Sequence, residues 1–292
     1  VEDPEEQYRI SPLTLGSLVH DTLDTWIAEA LRSGHIPAPG ASWPDTAVEH
    51  LRELAEHEAS RLQQRGLVGR RIYWGRDQQV MLRDLEDFVS FDTTQRAAFS
   101  SRPIATELPF GMPGSPTPPV EIPLADGRTL TVRGAIDRVD ETPDGSVIVI
   151  DYKTGSTRSY SDVSEHDPTP GGTHLQLVLY SLAARQILGR PDAPSHGMYW
   201  FVTAKGGFST IGYQVTPEIE AATLDTVGRI VDGIATGHFP AHPAAPGFRT
   251  WVDCPYCEPD ALGLSHQYAD WQRLAPHPEL ADYVDLCGGD RA

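Results

Sequence analysis

Gly134-Ala-Ile-Asp137-Arg-Val-Asp140 and, a short turn later, Val147-Ile-Val-Ile150-Asp151-Tyr-Lys153-Thr-Gly155 decide how this chain is read. The second segment is an unbroken apolar run that closes on Asp151 and Lys153. The first closes a similar run, Thr129 to Ile136, on Asp137. Between them Asp144-Gly145 is a hairpin signal, so the two runs are expected to pair antiparallel. Asp137 and Asp151 would then end neighbouring strands with their carboxylates close together. Lys153 lies two residues past Asp151 and so emerges on the same face. Lysine is scarce here, two among 23 basic residues, so its place beside Asp151 is informative.

Outward from this hairpin, short apolar segments at 104–110 and 119–124 complete an expected antiparallel meander, with Asp126-Gly127 as another turn. Upstream the pattern is helical. Leu15, Leu18, Val19, Leu23, Trp26, Ile27 and Leu31 recur at spacings of three and four, and His20 adjoins that stripe. Gly and Pro break the chain at 33–44, and helices are expected at about 45–66 and 77–99. Downstream, a loop at 155–173 leads to a helix at about 174–188. Strands at about 196–203 and 208–215 follow, then a helix from Thr216-Pro217, where proline suits the first turn, to about Ile234. The order is helices, meander, helix, two strands, helix, which makes an α/β domain with an N-terminal helical lobe.

With 292 residues the chain can bury a sizeable core. Its net charge of −18 counts against a protein that grips a polyanion over its whole surface, though not against one whose substrate is delivered by another domain. Arg61, Arg65, Arg70, Arg71, Arg76 and Arg83 cluster locally on what looks like a helical stretch, either as a solvated face balanced by Glu53, Glu56 and Glu58 or as phosphate contacts. No apolar run is long enough for a membrane span and no signal peptide is visible, so no membrane association and a cytoplasmic location are expected. Three cysteines do not make a disulfide framework. Val1 and the linker-like Glu-Asp-Pro-Glu-Glu after it suggest a segment of something larger.

Two neighbouring carboxylates repel unless a cation sits between them. Hard Mg²⁺ or Mn²⁺ suits carboxylate and carbonyl oxygens, and Mn²⁺ tolerates an imidazole, which His20 could supply. Such an ion beside an ammonium is what phosphodiester hydrolysis needs: a polarised phosphoryl group, a bound water of lowered pKa, and compensation of developing charge by Lys153. Gln176 and Tyr180, at i and i+4, share one helix face and could hold a phosphate or position Lys153. Singly these residues read otherwise: His20 as an ordinary helix histidine, Asp137 as a partner of Arg138 or Arg133, Gln176 and Tyr180 as scaffolding. Asp140 reads as structural, paired with an arginine.

Taken together, Gly16-Ser-Leu-Val-His20, Gly134-Ala-Ile-Asp137-Arg-Val-Asp140, Asp151-Tyr-Lys153-Thr-Gly155 and Gln176-x-x-x-Tyr180 resemble the RecB-type branch of the PD-(D/E)xK nuclease superfamily, of the AddB kind. The resemblance spans about residues 11–257. It implies a restriction-endonuclease-like core, a mixed central sheet in αβββαβ order, with the helical lobe at about 11–100, the core at about 101–236 and a cysteine-containing loop and tail at about 237–292, all one domain. It also implies that His20, Asp137, Asp151 and the main-chain carbonyl of Tyr152 bind the metal. Lys153 would be catalytic, with Gln176 and Tyr180 in support. The activity implied is a Mg²⁺- or Mn²⁺-dependent deoxyribonuclease, exonuclease rather than endonuclease, serving DNA repair and recombination beside a helicase domain or subunit, with single-stranded DNA ends as substrate. Alternatives are a stand-alone exonuclease of the CRISPR-adaptation kind and an inactive nuclease-fold scaffold that binds DNA or a partner.

The cysteines depart from the pattern. Many AddB-like nucleases hold an iron–sulfur cluster with one upstream cysteine and three near the C-terminus. Here Cys254-x-x-Cys257 matches the start, but Glu258 through Ser265 contains no third cysteine, and Cys287 is distant. No Cys₄ iron–sulfur cluster is therefore expected from this chain. Zinc held by Cys254, Cys257, Cys287 and His266 fits in ligand type but not in spacing. The favoured reading is the remnant of a lost cluster site, its loop packed around Tyr256, Trp251 and Trp271.

Overall fold

Five strands, β1 (Arg102–Phe110), β4 (Gly134–Glu141), β5 (Val147–Lys153), β6 (Ser195–Phe201) and β7 (Thr210–Val215), form one mixed sheet in the order β1-β4-β5-β6-β7. The computed structural model describes residues 8–242 and 265–287. β1, β4 and β5 pair antiparallel, β5 and β6 parallel, and β6 and β7 antiparallel. β5 lies at the centre, and its apolar run is buried on both faces, as a strand covered by helices on either side must be.

One face is covered by the helical lobe: α1 (Pro12–Ser33), α2 (Asp45–Gln64) and α3 (Arg71–Phe99). Leu23, Trp26, Ile27 and Phe88 from the lobe meet Ile148, Ile150, Tyr152 and Trp200 from the sheet. The other face packs on α4 (Gln176–Ile187) and the start of α5 (Pro217–Thr236) through Val147, Val149, Ala183, Ala184 and Leu177. The period-two alternation of β5 therefore sends even-numbered residues to the lobe and odd-numbered ones, Asp151 and Lys153 included, to the α4 side. This architecture is the restriction-endonuclease-like α/β fold expected, with its helical lobe N-terminal.

Local signals explain the boundaries. Ser11 caps α1, accepting from the Thr14 amide at 3.0 Å, with Pro12 in the first turn and Gly34 at φ 70° ending the helix. Thr216 caps α5 in the expected place, ahead of Pro217. Three expectations need correction. The run 128–137 is two strands: β3 (Thr129–Val132) leaves the main sheet to pair with β2 (Val120–Pro123), and β4 starts at Gly134. At Gly134 a Cβ would stand 3.3–3.4 Å from Phe110 and Tyr180, so a larger residue would crowd both side chains. Asp137 therefore lies within β4 rather than at its end. α3 starts at Arg71, not near 77, because Trp74 is buried and anchors an extra turn. The arginine cluster is not on one helix either: Arg61 ends α2 and pairs with Glu58, Arg65 and Arg70 lie in the connection, and Arg71, Arg76 and Arg83 belong to α3.

The lobe and sheet are joined by a buried polar network. The Arg138 guanidinium donates to Asp140 at 2.6 and 2.8 Å and to Asp92 at 2.6 Å. Asp92 also accepts from Trp43 Nε1 at 2.6 Å and Arg96 Nε at 2.8 Å, and Arg96 in turn donates to the carbonyls of Pro37, Ala38 and Ala41. Asp140 thus has the structural arginine pairing expected of it. Burial opposes ionisation of Asp92, but Arg138 and Arg96 overcome it and hold that carboxyl below the usual range.

The tail carries α6 (Ser265–Leu274) and α7 (Ala281–Leu286). Trp271 is buried, stacked on His242 with ring centroids 4.0 Å apart. Cys254, Cys257, Trp251 and Tyr256 lie outside the described residues. Cys287 caps α7 and His266 lies on α6. No helix among the described residues is long and apolar enough to cross a membrane.

Candidate active site

The β4–β5 ladder runs from Glu141↔Val147 to Arg138↔Ile150, and one step further in that register sets Asp137 opposite Asp151. Directly opposed residues of an antiparallel pair have Cβ atoms about 4.5–5.5 Å apart, close enough for both carboxylates to share one cation. At this point the ladder ends, and Asp137 Oδ2 accepts the Tyr152 amide at 2.6 Å in place of a backbone carbonyl. His20, from α1, brings Nδ1 to 3.4 Å from Asp137 Oδ2 and packs edge-on against the Tyr152 ring. Lys153 lies against Asp151 as an ion pair, its ammonium 5.2 Å from the centre of the Tyr199 ring. Four of the expected residues, His20, Asp137, Asp151 and Lys153, are thus brought together.

Gln176 and Tyr180 stand as expected on one face of α4, with Tyr180 near enough to feel Asp151, Asp137 and Lys153. Burial pushes the Tyr180 phenol up, which keeps it a hydrogen-bond donor. The Tyr152 side chain is buried on the lobe side, where its hydroxyl accepts from Arg138 at 3.5 Å, so only its main chain faces the site.

Other acids here were not singled out from the sequence. Glu107 falls opposite Asp137 in the β1–β4 register, between the pairs Thr106↔Arg138 and Leu108↔Ile136. Glu107, Asp137 and Asp151 therefore form a row across three strands. Glu107 has φ 39°, a left-handed conformation that costs a non-glycine residue about 1–3 kcal/mol. Thr106 Oγ1 donates to Asp24 Oδ1 at 2.9 Å and to the Asp137 carbonyl at 3.1 Å. Asp24 was readable in principle, since it follows His20 at i+4 on the same helix. Glu107 required the register.

The electrostatics are those of crowded acids. Burial pushes Asp151 up to about 6; the Lys153 ammonium opposes that rise and Asp137 adds to it. Glu107, Asp24 and Asp21 are likewise raised, first by burial and then by neighbouring carboxylates. His20 is disfavoured as a cation by burial, but its hydrogen bond to Asp137 prevails and raises it. Asp151 Oδ2 is buried, and the Lys153 ammonium is the group that lies against it. Among the described residues, no three acidic, histidine or cysteine side chains already close into a metal cage. The carboxylates instead lean on His20 and Lys153. A buried carboxylate held by one ammonium, a second carboxylate near it and an imidazole nevertheless make a hard donor set that fits a divalent cation.

Acids opposed across a ladder end, with a lysine two residues on and a glutamine/tyrosine helix alongside, define the nuclease core of the restriction-endonuclease-like fold. The PD-(D/E)XK nuclease superfamily profile matches residues 1–261, and the chain belongs to that superfamily. Its relatives include a subunit of the "ATP-dependent helicase/deoxyribonuclease" of Symbiobacterium thermophilum, 33% identical over 61% of this chain and 15% of that one. The protein of the same name from Geobacillus kaustophilus is 31% identical over 67% of this chain and 16% of its own length. The chain thus spans about a sixth of the length of the relatives it matches. A solved structure titled "Crystal structure of SSO0001" aligns with a TM-score of 0.27 and 14% identity, over 55% of this chain and 68% of that one, too slight a likeness to bear on the site.

Proposed function

We propose that residues 1–292 form one metal-dependent deoxyribonuclease domain, hydrolysing DNA phosphodiester bonds as part of a helicase–nuclease that processes DNA ends. The observation that carries this is the Asp137/Asp151 pair, each carboxylate within electrostatic reach of the other, with His20 against Asp137 and the Lys153 ammonium against the buried Asp151 Oδ2. His20, Asp137, Asp151 and the Tyr152 carbonyl are the proposed ligands of Mg²⁺ or Mn²⁺. When bound, that ion supplies Lewis-acid polarisation and lowers the pKa of a water.

The chain's own residues do the rest. Lys153, buried against Asp151 and kept charged by it despite the burial, orients the attacking water and offsets charge developing on the phosphoryl oxygens. Tyr180 and Gln176 hold Lys153 and the scissile phosphate in register. Tyr199 and Tyr160 flank Lys153 and shield it from bulk water. Single-stranded ends are the proposed substrate, cut exonucleolytically, and a helicase domain or subunit is the proposed partner. The acidic surface suits a site fed by a motor, because DNA held by that motor need not be captured from solution.

The test is cleavage of end-labelled single- and double-stranded DNA with Mg²⁺ or Mn²⁺, at low salt, beside an EDTA control. Wild type is expected to cut, and Lys153→Ala to cut slower by about 10²–10³-fold, the usual loss of one group that stabilises the transition state. Equal cleavage by wild type and Lys153→Ala would remove the assigned site, and no cleavage by either would favour the scaffold alternative.

A further inference from the structure

Beside the active site lies a groove whose lining side chains the catalytic reading leaves unused. A cavity of about 640 Å³, lined by Tyr8, Arg9, Tyr73, Thr154 and Lys205, runs into a second of about 250 Å³ that adds Arg76 and shares Arg9, Thr154 and Lys205. Thr154 follows Lys153, and a Cβ on Gly16, one helical turn before His20, would meet Thr154 Oγ1 at 3.3 Å. The groove therefore opens at the end of the catalytic strand. From Thr154 back to Asp151 is three residues of extended chain, about 10 Å, or roughly three stacked nucleotides at about 3.4 Å each.

On this acidic chain the groove gathers Arg9, Arg76 and Lys205 in its lining. Elsewhere Arg52, Arg61 and Arg128 are each engaged by a carboxylate, whereas the exposed Arg65, Arg83, Arg133 and Arg158 form no ion pair among the described residues. Among the described residues, the side chains of Arg9, Arg70, Arg71, Arg76 and Lys205 form no ion pair. The acids of the lining are Asp77 and Asp84, and Asp84 is buried and accepts the Ala204 amide at 3.2 Å. The start of α3 adds to the positive field: it has no side-chain cap and no acid in its first turn, and it carries Arg70 and Arg71 at the positive end of the helix.

Two aromatic rings are interleaved with these cations. Arg70 lies over Tyr8 at 4.1 Å and Arg9 over Tyr73 at 5.2 Å, and the two tyrosines keep 42% and 41% of their surface exposed. Half-exposed rings among unpaired cations form a surface for unstacked bases with their phosphates alongside. Duplex DNA would offer the phosphates but no free base face.

We propose that this groove is a binding track for single-stranded DNA, with Tyr8 and Tyr73 as stacking platforms and Arg9, Arg76 and Lys205 as phosphate contacts, leading a strand to Asp151 and Lys153. The choice of DNA rests on the nuclease reading, whereas the groove's recognition of a single strand rests on its own residues.

The test is fluorescence anisotropy with a labelled oligothymidine and with a duplex of equal length, in EDTA so that binding is read without cleavage. Tyr8→Ala/Tyr73→Ala is expected to weaken single-strand binding about tenfold or more and to leave duplex binding unchanged. Arg9→Glu, Arg76→Glu and Lys205→Glu should weaken it too, each lowering the slope of log affinity against log salt by about 0.7 or more. Lys205 is exposed, so its variant tests charge with little effect on folding, and Arg128→Glu on the β2–β3 turn serves as a control that binds as wild type. Wild-type affinity in the tyrosine and Lys205 variants, equal binding of duplex with neutral tyrosines, or no binding at low salt would each overturn the track. Oligonucleotide bound but never cut with metal present would sink the nuclease reading and spare the groove. Cutting that ignores the groove variants would do the reverse.

Discussion

Asp151→Asn is expected to do two opposite things: abolish cleavage and make the metal-free protein more stable. Loss of activity follows from removing one of the two carboxylates that face each other across β4 and β5, and a fall of at least 10²–10³-fold is the expected order. The gain in stability follows from burial. Because the Asp151 carboxyl is raised from 3.8 to about 6 in the folded protein, the folded state holds that proton more tightly than the unfolded chain does. Stability therefore falls as pH rises from about 4 to about 6, and the deficit persists above that window at roughly 3 kcal/mol. Asparagine carries no proton to lose, so the variant should melt several degrees higher than wild type at pH 8 and show no advantage at pH 4. Mg²⁺ or Mn²⁺ should stabilise wild type at pH 8 by about 2.7 kcal/mol at a hundredfold excess over Kd, and the variant much less. Thermal melts across pH, with and without metal, check all of this. A variant that is less stable without metal and still responds fully to it would refute the assignment of Asp151.

Arg138→Met carries the largest expected loss of stability. The guanidinium is buried between Asp140 on its own strand and Asp92 on α3, and burial alone would disfavour its charge. Taking it away leaves two carboxylates in the interior with only part of their hydrogen bonds, a change that costs about 3–5 kcal/mol. Since folded domains are stable by only about 5–15 kcal/mol, the melting temperature should fall by on the order of 10 °C, measurable by circular dichroism. Asp92→Asn/Arg138→Met should lose less than the sum of the single losses, because the two side chains share one network. A loss below about 1 kcal/mol in Arg138→Met would show that the network does not hold the lobe to the sheet.

The parts of the fold legible in the sequence were those governed by local rules. The amphipathic stripe of α1, the Thr216-Pro217 start of α5 and the unbroken apolar run of β5 each state their own structure. The same holds for His20, Asp137, Asp151 and Lys153, whose residue types and spacing point to one chemistry. What stayed hidden depends on pairing between distant segments. The division of 128–137 into β3 and β4 follows from β3 pairing with β2 while β4 pairs with β1 and β5, and Glu107 joins the acidic row only through the β1–β4 register. The early start of α3 was masked because Arg70-Arg71 and Gly75 dilute the helical pattern while Trp74 alone anchors it. The groove was hidden for the same reason, since Tyr8 and Tyr73 are far apart along the chain and meet through the bridge of Arg9 to Gly69.

The scarcity of lysine has a practical side. Lys153 and Lys205 are the chain's only side-chain amines, one beside Asp151 and the other in the groove. Any acylating or cross-linking reagent aimed at amines will therefore report on these two places and the N-terminus alone. Lys205 stands open to solvent, while Lys153 is shielded and held protonated, so the two should react at well-separated rates. Amine coupling to a surface would tether the protein by its own groove, and attachment through another functional group would leave that face free.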